Sequence, residues 1–295
     1  MRVRVATRRS NLAMEQTREV LSVLEELGHQ WEIVGLDSHG DVDRKTPLHK
    51  MSRTGIFVEL LNHLVASGEA DIAVHSAKDM PSSLEPGLVV CHTPPRGPWW
   101  DVMVTDSGID GLGPGSRIGT SSIRRQKALS LWRPDLVAQD LRGNVDTRIS
   151  RMRSGEVSGL ILAEAGLQRL GIDAVRHRLP DSIFVPQPNQ GIIAVVARAG
   201  SQISGELAPL SHSETMECFR FERQVSGRLR LGCSVPAGIL VRPDGRRYTV
   251  EARFFSMHSS ESVHFLEKFS DSGELEEISG AIAASIPPGY GYRVG

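Results

Sequence analysis

Donor groups gather at three points of this chain where a strand pattern gives way to a helix pattern. Gly119-Thr120-Ser121-Ser122-Ile123-Arg124-Arg125 brings backbone N–H groups, three hydroxyls and two guanidiniums to one predicted helix start. Unsatisfied amides and the helix dipole make such a start favourable to an anion. Leu141-Arg142-Gly143-Asn144-Val145-Asp146-Thr147-Arg148 repeats the arrangement, with Arg142 ahead of the helix and Arg148 one turn inside it. Thr7-Arg8-Arg9-Ser10 is a third strand-to-helix turn of the same kind. Arg suits these places because its planar fork grips carboxylate or phosphate through parallel N–H donors and keeps its proton. Ordinary Ser capping with solvated surface Arg is the competing reading of each turn.

Two further residues are of types that make or break bonds. Asp79, in Asp71-Ile72-Ala73-Val74-His75-Ser76-Ala77-Lys78-Asp79-Met80-Pro81, sets a carboxylate at a strand end amid cations. Cationic neighbours favour its ionised form, in which it can stabilise a developing positive charge or move protons. A salt bridge to Lys78 or an Arg is the plainer reading, and His75 reads as a core histidine with its hydrogen bonds met. Cys233 lies in the loop Arg230-Leu231-Gly232-Cys233-Ser234-Val235-Pro236. It is either an inert packed thiol or a nucleophile whose thiolate neighbouring Arg residues favour. Cys91 and Cys218 have no comparable setting.

The elements that must position these groups follow from apolar spacing. Positions 2–7 alternate as a strand, Ser10 caps a helix whose Val20, Leu21, Leu24 and Leu27 recur at helical spacing until Gly28, and 31–36 forms a second strand. Helix 55–67 and strand 71–74 follow, then strands 88–91 and 102–105 around Thr93-Pro94-Pro95-Arg96-Gly97-Pro98. A second series begins at Arg117: a strand into 119–122, a helix to 131, a strand near 136–138, a helix over 145–153 and a strand over 159–163. Alternating β and α predicts parallel sheets covered on both faces, with ligands at the carboxyl ends of the strands. Pro-rich crossings at 93–98 and 186–188, the latter followed by an apolar strand at 192–197, predict that the second series is inserted between the halves of the first. A helix from 213 to about 230, strands at 237–241, 248–255 and 263–269, and an acidic helix from 272 read as a small α+β domain. The expected division is 1–98 with 191–212 (discontinuous α/β), 99–190 (α/β, with the Arg-rich cleft) and 213–295 (α+β, with the cysteine loop).

Composition narrows the function classes. The 295 residues, 40% hydrophobic and 23% charged, are globular in make-up and numerous enough for two or three domains. No run approaches the ~18–20 apolar residues of a membrane span. The alternating start Arg2-Val3-Arg4-Val5 lacks the apolar stretch of a secretion signal. Cytoplasmic residence, a monomer and no membrane partner are therefore expected. Three widely spaced cysteines suit neither a disulfide framework nor a four-ligand zinc site, and no His/Cys/Asp cluster has ligand spacing, so no metal is expected. The net charge of −1 conceals 29 Arg against 5 Lys and, between Arg117 and Arg153, nine basic residues against three acidic ones. That patch raises nucleic-acid binding as a possibility, but the pI of about 6.8 and 5% aromatic content argue against it.

Taken in order, the motifs resemble the porphobilinogen deaminase family, also called hydroxymethylbilane synthase. The resemblance runs through Val5-Ala6-Thr7-Arg8, Gly40-Asp41-Val42, Gly55-Ile56-Phe57, residues 73–81, 118–126, 141–148 and 163–171, Gln190-Gly191, Glu222-Arg223 and Gly232-Cys233-Ser234-Val235-Pro236. It implies two α/β domains similar to periplasmic binding proteins, plus a small α+β C-terminal domain. It implies that Cys233 carries a dipyrromethane cofactor through a thioether, and that porphobilinogen, with its acetate and propionate groups, is the substrate. Four porphobilinogen molecules would be deaminated and joined head to tail onto the cofactor, and the linear tetrapyrrole released by hydrolysis. Asp79 would be the catalytic carboxylate, assisting loss of ammonia and stabilising the azafulvene cation. Arg8, Ser10, Lys78, Thr120, Ser121, Ser122, Arg124, Arg125, Arg142 and Arg148 match positions that hold cofactor and substrate carboxylates.

Three places depart from the family pattern. The loop Lys50-Met51-Ser52-Arg53-Thr54 has Thr54 where a basic residue is common, leaving Arg53 to take that part. Asn189 and Leu231 stand where Gly is common. Asn tolerates positive φ, whereas Leu231 puts the path of the cofactor loop in question. The competing function is a non-catalytic two-domain anion-binding protein, which leaves Asp79 and the third domain without a task.

Overall fold

The computed structural model describes residues 1–36, 53–81, 83–231, 235–270 and 274–292. Its contacts divide the chain into two units, Met1–Gly97 with Gly191–Glu217, and Pro98–Gln190 with Cys218–Gly295.

In the first unit, strands β1 (Arg2–Arg8), β2 (Gln30–Leu36), β3 (Ile72–Ser76), β4 (Leu88–His92) and β10 (Ile193–Arg198) form one sheet in the order β2-β1-β3-β10-β4. The pleat sends alternate side chains to opposite faces. Val3, Val5, Ile72 and Val74 meet Val20, Leu21 and Leu24 of helix α1 (Asn11–Glu26), together with Ile203 and Leu207 of α6 (Gln202–Leu207). Ala6, Ala73 and Val196 meet Leu61 and Val65 of α2 (Arg53–Ser67) on the other face. Ser10 is the N-cap of α1 as expected, its Oγ accepting from the Ala13 N–H at 3.4 Å.

The second unit holds two sheets. Strands β5 (Asp101–Val104), β6 (Arg117–Gly119), β7 (Val137–Gln139), β8 (Gly159–Ala163) and β9 (Arg176–Arg178) run in the order β7-β6-β8-β5-β9. Helix α3 (Ile123–Trp132) covers one face through Ala128 and Leu129. Helices α4 (Val145–Arg153) and α5 (Glu164–Arg169) cover the other through Ile149, Met152 and Leu167. The smaller sheet, β11 (Ala237–Asp244), β12 (Arg247–Phe255) and β13 (Ser262–Phe269), is an antiparallel meander. It packs on α7 (Ser213–Arg228) and α8 (Leu275–Ser285) through Phe221, Val225, Ile239, Val250, Phe254 and Ile282. Gly238 lets β11 approach the preceding segment, since a Cβ there would lie 2.2 Å from the Val185 carbonyl oxygen.

The expectation of parallel sheets is corrected. Both five-stranded sheets are mixed: β10 runs antiparallel to β3 and β4, and β5 antiparallel to β8 and β9. The reason is the chain crossing. β10 enters the first sheet, and β5 the second, from the other unit and not through a βα crossover helix, so the rule tying β-α-β succession to parallel pairing does not apply to them. The short α5, α6 and β9 carry too few residues to show a period.

Leu231 has a definite task here. The N–H of Leu231 donates to Ser226 O at 2.9 Å and that of Arg230 to Gly227 O at 3.1 Å, while Arg230 takes φ +46°. These are the two bonds and the left-handed residue of a Schellman stop for α7, with Leu231 packed on the apolar core of the small sheet. Gly232, Cys233 and Ser234 lie outside the described residues, as do Gly40-Asp41-Val42 and Lys50 to Ser52. Asn189 takes φ +64°, the conformation expected of a residue standing in for Gly.

Candidate functional site

Each unit carries its own cluster of the predicted residues. In the first, the C-terminal end of β1, the start of α1 and the 3-10 turn Ala77–Asp79 after β3 enclose a cavity of about 90 Å³. Arg8, Ser10, Lys78 and Asp79 all line it, together with Gln16 and His75. Arg8 is set by α2, its guanidinium carbon lying 4.7 Å from the ring centre of Phe57. Ala77 N–H bonds to Ile192 O at 3.0 Å, which ties the turn bearing Lys78 and Asp79 to the segment leading into β10.

Burial raises the Asp79 pKa above the ordinary carboxylate value, against the opposing charges of Lys78 and Arg8. The expectation that neighbouring cations favour the ionised form is corrected: confinement outweighs them, because a carboxylate losing its water loses more than two nearby charges return. His75 is buried, its Nε2 2.9 Å from Asn62 Oδ1 on α2, and burial pushes its pKa down to about 4. The expected core histidine is therefore a neutral one.

In the second unit, the β6–α3 turn is built as a donor surface. Thr120 is buried and its Oγ1 accepts from the Ser122 N–H at 3.2 Å; Ser122 Oγ in turn caps α3, accepting from the Arg125 N–H at 3.5 Å. Ser121 and Ser122 are half-buried. Gly119 is required, since a Cβ would stand 2.8 Å from Leu141 and Leu160 side chains.

Arg124 and Arg125 point their tips inward to a residue the sequence reading passed over. Asp101, fully buried at the start of β5, takes Arg124 Nη2 on Oδ2 and Arg125 Nη2 on Oδ1, each at 2.7 Å. Gln190 Nε2 donates to Asp101 Oδ1 at 2.9 Å and to Trp99 O at 2.7 Å. Arg124 Nη1 and Arg125 Nη1 also donate to Val185 O and Ile161 O, at 2.8 and 3.1 Å. Burial alone would raise the Asp101 pKa, but the charges of Arg124 and Arg125 and the bonds from Arg125 and Gln190 hold it far below the carboxylate range. Two guanidiniums on one carboxylate leave the group net positive. Arg148 feels that excess: burial and then the Arg125 charge lower its pKa, and its Nε donates to Gly143 O at 2.8 Å. Arg142 stands out in solvent, its Nε 3.2 Å from Asp140 Oδ2 with 81% of the side chain exposed. An acid at the mouth of an apolar strand facing an Arg pair was the available signal for Asp101, and the Gln190-Gly191 motif that for Gln190.

A second buried carboxylate anchors the small sheet. Glu222 is fully buried on α7 and accepts from the backbone N–H of Asn189 and, at 2.7 Å, from that of Val241 on β11. Cys91 and Cys218 are buried free thiols. Among the described residues, no group of three His, Cys, Asp or Glu side chains is arranged to hold a metal, and no helix is long and apolar enough to cross a membrane.

Comparison with known proteins gives the family. A family model described as porphobilinogen deaminase, dipyromethane cofactor binding domain, matches residues 3–204. The chain is 40% identical over 292 residues to the probable porphobilinogen deaminase of Thermoplasma volcanium, covering 99% of this chain and 98% of that one. It is also 40% identical over 292 residues to the probable porphobilinogen deaminase of Thermoplasma acidophilum, with 99% of both chains covered. Among solved structures, the VFT2 domain of Bordetella pertussis BvgS is similar at 17% identity and a TM-score of 0.42, over 74% of this chain and 91% of that one.

Proposed function

The chain belongs to the porphobilinogen deaminase family, transferases of porphyrin biosynthesis with a dipyrromethane cofactor, and from that premise we propose that it joins four porphobilinogen molecules head to tail and releases the linear tetrapyrrole by hydrolysis. The observation that carries the reading is the first-unit cavity, where one carboxylate of raised pKa, Asp79, sits with Arg8 and Lys78.

Asp79 is the catalytic carboxylate. Its ionised form lies where positive charge develops as ammonia leaves the aminomethyl carbon, and stabilises that charge in a site with little water. Its raised pKa brings it nearer the range in which it can also take up the proton lost when the new pyrrole ring regains aromaticity. Arg8 and Lys78 hold substrate carboxylates, with Ser10 as a hydroxyl partner.

The second-unit donors suit a carboxylate-bearing group. Thr120, Ser121 and Ser122 supply hydroxyls at the α3 N-terminus, the pair Arg124 and Arg125 keeps a net positive charge after Asp101, and Arg148 lies within reach of that field. These residues and Arg142 would hold the dipyrromethane and the growing chain by their carboxylates, with Cys233, outside the described residues, as the thioether attachment. When bound, dipyrromethane supplies the free α-carbon to which the first substrate unit is joined. The three-part division at 98/99, 190/191 and 212/213, a monomeric state and cytoplasmic residence complete the proposal. A purely anion-binding protein would have no use for the raised pKa of Asp79.

The test is the intact mass of the purified protein beside a Cys233→Ser variant from the same host. The expected result is a wild-type excess of two porphobilinogen units less two ammonia, missing from the variant. An unmodified wild-type mass that persists after incubation with porphobilinogen would overturn the proposal.

A further inference from the structure

The cavity that holds Asp79 has a wall whose charge the catalytic reading leaves unassigned. His75 is buried at the end of β3, two residues before the turn that carries Lys78, and it lines the same small cavity as Asp79. Its Nε2 meets the Oδ1 of Asn62, a buried residue of α2, at 2.9 Å. Asn62 Oδ1 can only accept, so Nε2 carries a proton, and in the neutral ring Nδ1 is then the acceptor.

We propose that His75 is a positioning residue, held by the uncharged amide of Asn62 as a neutral imidazole, so that the wall beside Asp79 offers an acceptor and not a third positive charge. The inference rests on Asp79 being the catalytic carboxylate. Among the described residues, the charged groups lining the cavity come from two elements: Arg8 at the end of β1, and Lys78 and Asp79 on the turn after β3. The N-cap Ser10 and the parts of α1 and α2 that line it contribute a hydroxyl, Gln16 and apolar side chains, and the β10 residue paired with His75 is Ala194. An imidazolium here would oppose the positive charge that forms on the substrate carbon and would draw the Asp79 pKa down. A neutral imidazole does neither. The choice of partner decides the outcome: a carboxylate at position 62 would favour the protonated ring, whereas an amide does not. Burial acts in the same direction, lowering the pKa of His75.

Asn62→Asp tests this directly. Imidazole NMR across a pH series should show wild-type His75 without a titration near neutrality, and in the variant an upward displacement of about 1–3 units. With porphobilinogen as substrate, the kcat profile of Asn62→Asp should show, beyond any limb it shares with wild type, an added fall on the acid side of the displaced titration that recovers above it. A wild-type His75 that titrates near 6.5, or a displaced titration that leaves the kcat profile unchanged, would overturn the inference. Two variants at the ring itself cover the case in which Asn62→Asp does not fold. His75→Gln keeps a neutral donor and acceptor and should retain kcat within about threefold, while His75→Phe should lose about tenfold or more in kcat with KM little changed. Equal kcat in the two would equally overturn it. Failure of the catalytic reading is seen separately, as sustained turnover by Asp79→Asn.

Discussion

Asp79 in the first unit and Asp101 in the second each lie beside two cationic side chains, yet their carboxyl groups shift in opposite directions. Asp101 receives direct hydrogen bonds from Arg124, Arg125 and Gln190, which replace water on both of its oxygens. At Asp79 the opposing influence of Lys78 and Arg8 is exerted through charge, and burial prevails. The difference separates two uses of one residue type. A carboxylate bonded by two guanidiniums holds structure and stays ionised through the ordinary carboxylate range; one opposed through charge in a small cavity keeps a raised pKa, the property the proposed chemistry uses.

The largest effect that would test this contrast is at Asp101. Asp101→Ala leaves two buried guanidiniums without their counter-charge and should destabilise the protein by about 3–5 kcal/mol, read by urea unfolding. A loss under about 1 kcal/mol would mean that Arg124 and Arg125 find water or other acceptors, and the structural side of the comparison would fail. Asp79→Asn should do the reverse. Turnover should drop by about 10²–10⁴-fold, while stability at neutral pH rises, since the wild-type chain carries a carboxylate that folding makes harder to ionise.

The sign of the pH dependence sharpens the same point. A raised folded-state pKa costs stability once pH exceeds the unfolded value, so the advantage of Asp79→Asn should shrink to nothing as pH falls below about 4, where both chains are neutral at this position. Asp101, with its pKa depressed, contributes stability that is fully present above about 4 and is lost only as pH falls well below the carboxylate range. Thermal melts of wild type and both variants from pH 8 down to about 2 would read the Asp79 slope and the onset of the Asp101 one. The smallest effect is expected at Arg142. Its ion pair with Asp140 lies in solvent, so Arg142→Ala should change stability by less than about 0.5 kcal/mol and be felt as a raised KM for porphobilinogen.

Much of the scaffold was legible because its signals are local. Helix 145–153 and strand 159–163 fall where apolar spacing placed them, and Ser10 and Ser122 cap the helices they precede. The antiparallel entry of β5 and β10 was not, since it depends on where a crossing strand lands. Leu231 looked like a defect when read as a missing Gly; it is the apolar residue of a Schellman stop, a role visible only once Arg230 is seen to take the left-handed conformation.

The sequence by itself determined which turns carry donors, which residue is the acid among cations and which family the ordered motifs resemble, because these are matters of residue type and short spacing. Tertiary structure decided how each charged group is paired and how far it is buried. Asp101 finds Arg124 across 23 residues and Gln190 across 89. His75 finds Asn62 across 13, and the balance of burial against pairing at Asp79 exists only once β1, α1 and the turn after β3 close around it. Desolvation belongs to a place in three dimensions, and no spacing along the chain encodes it.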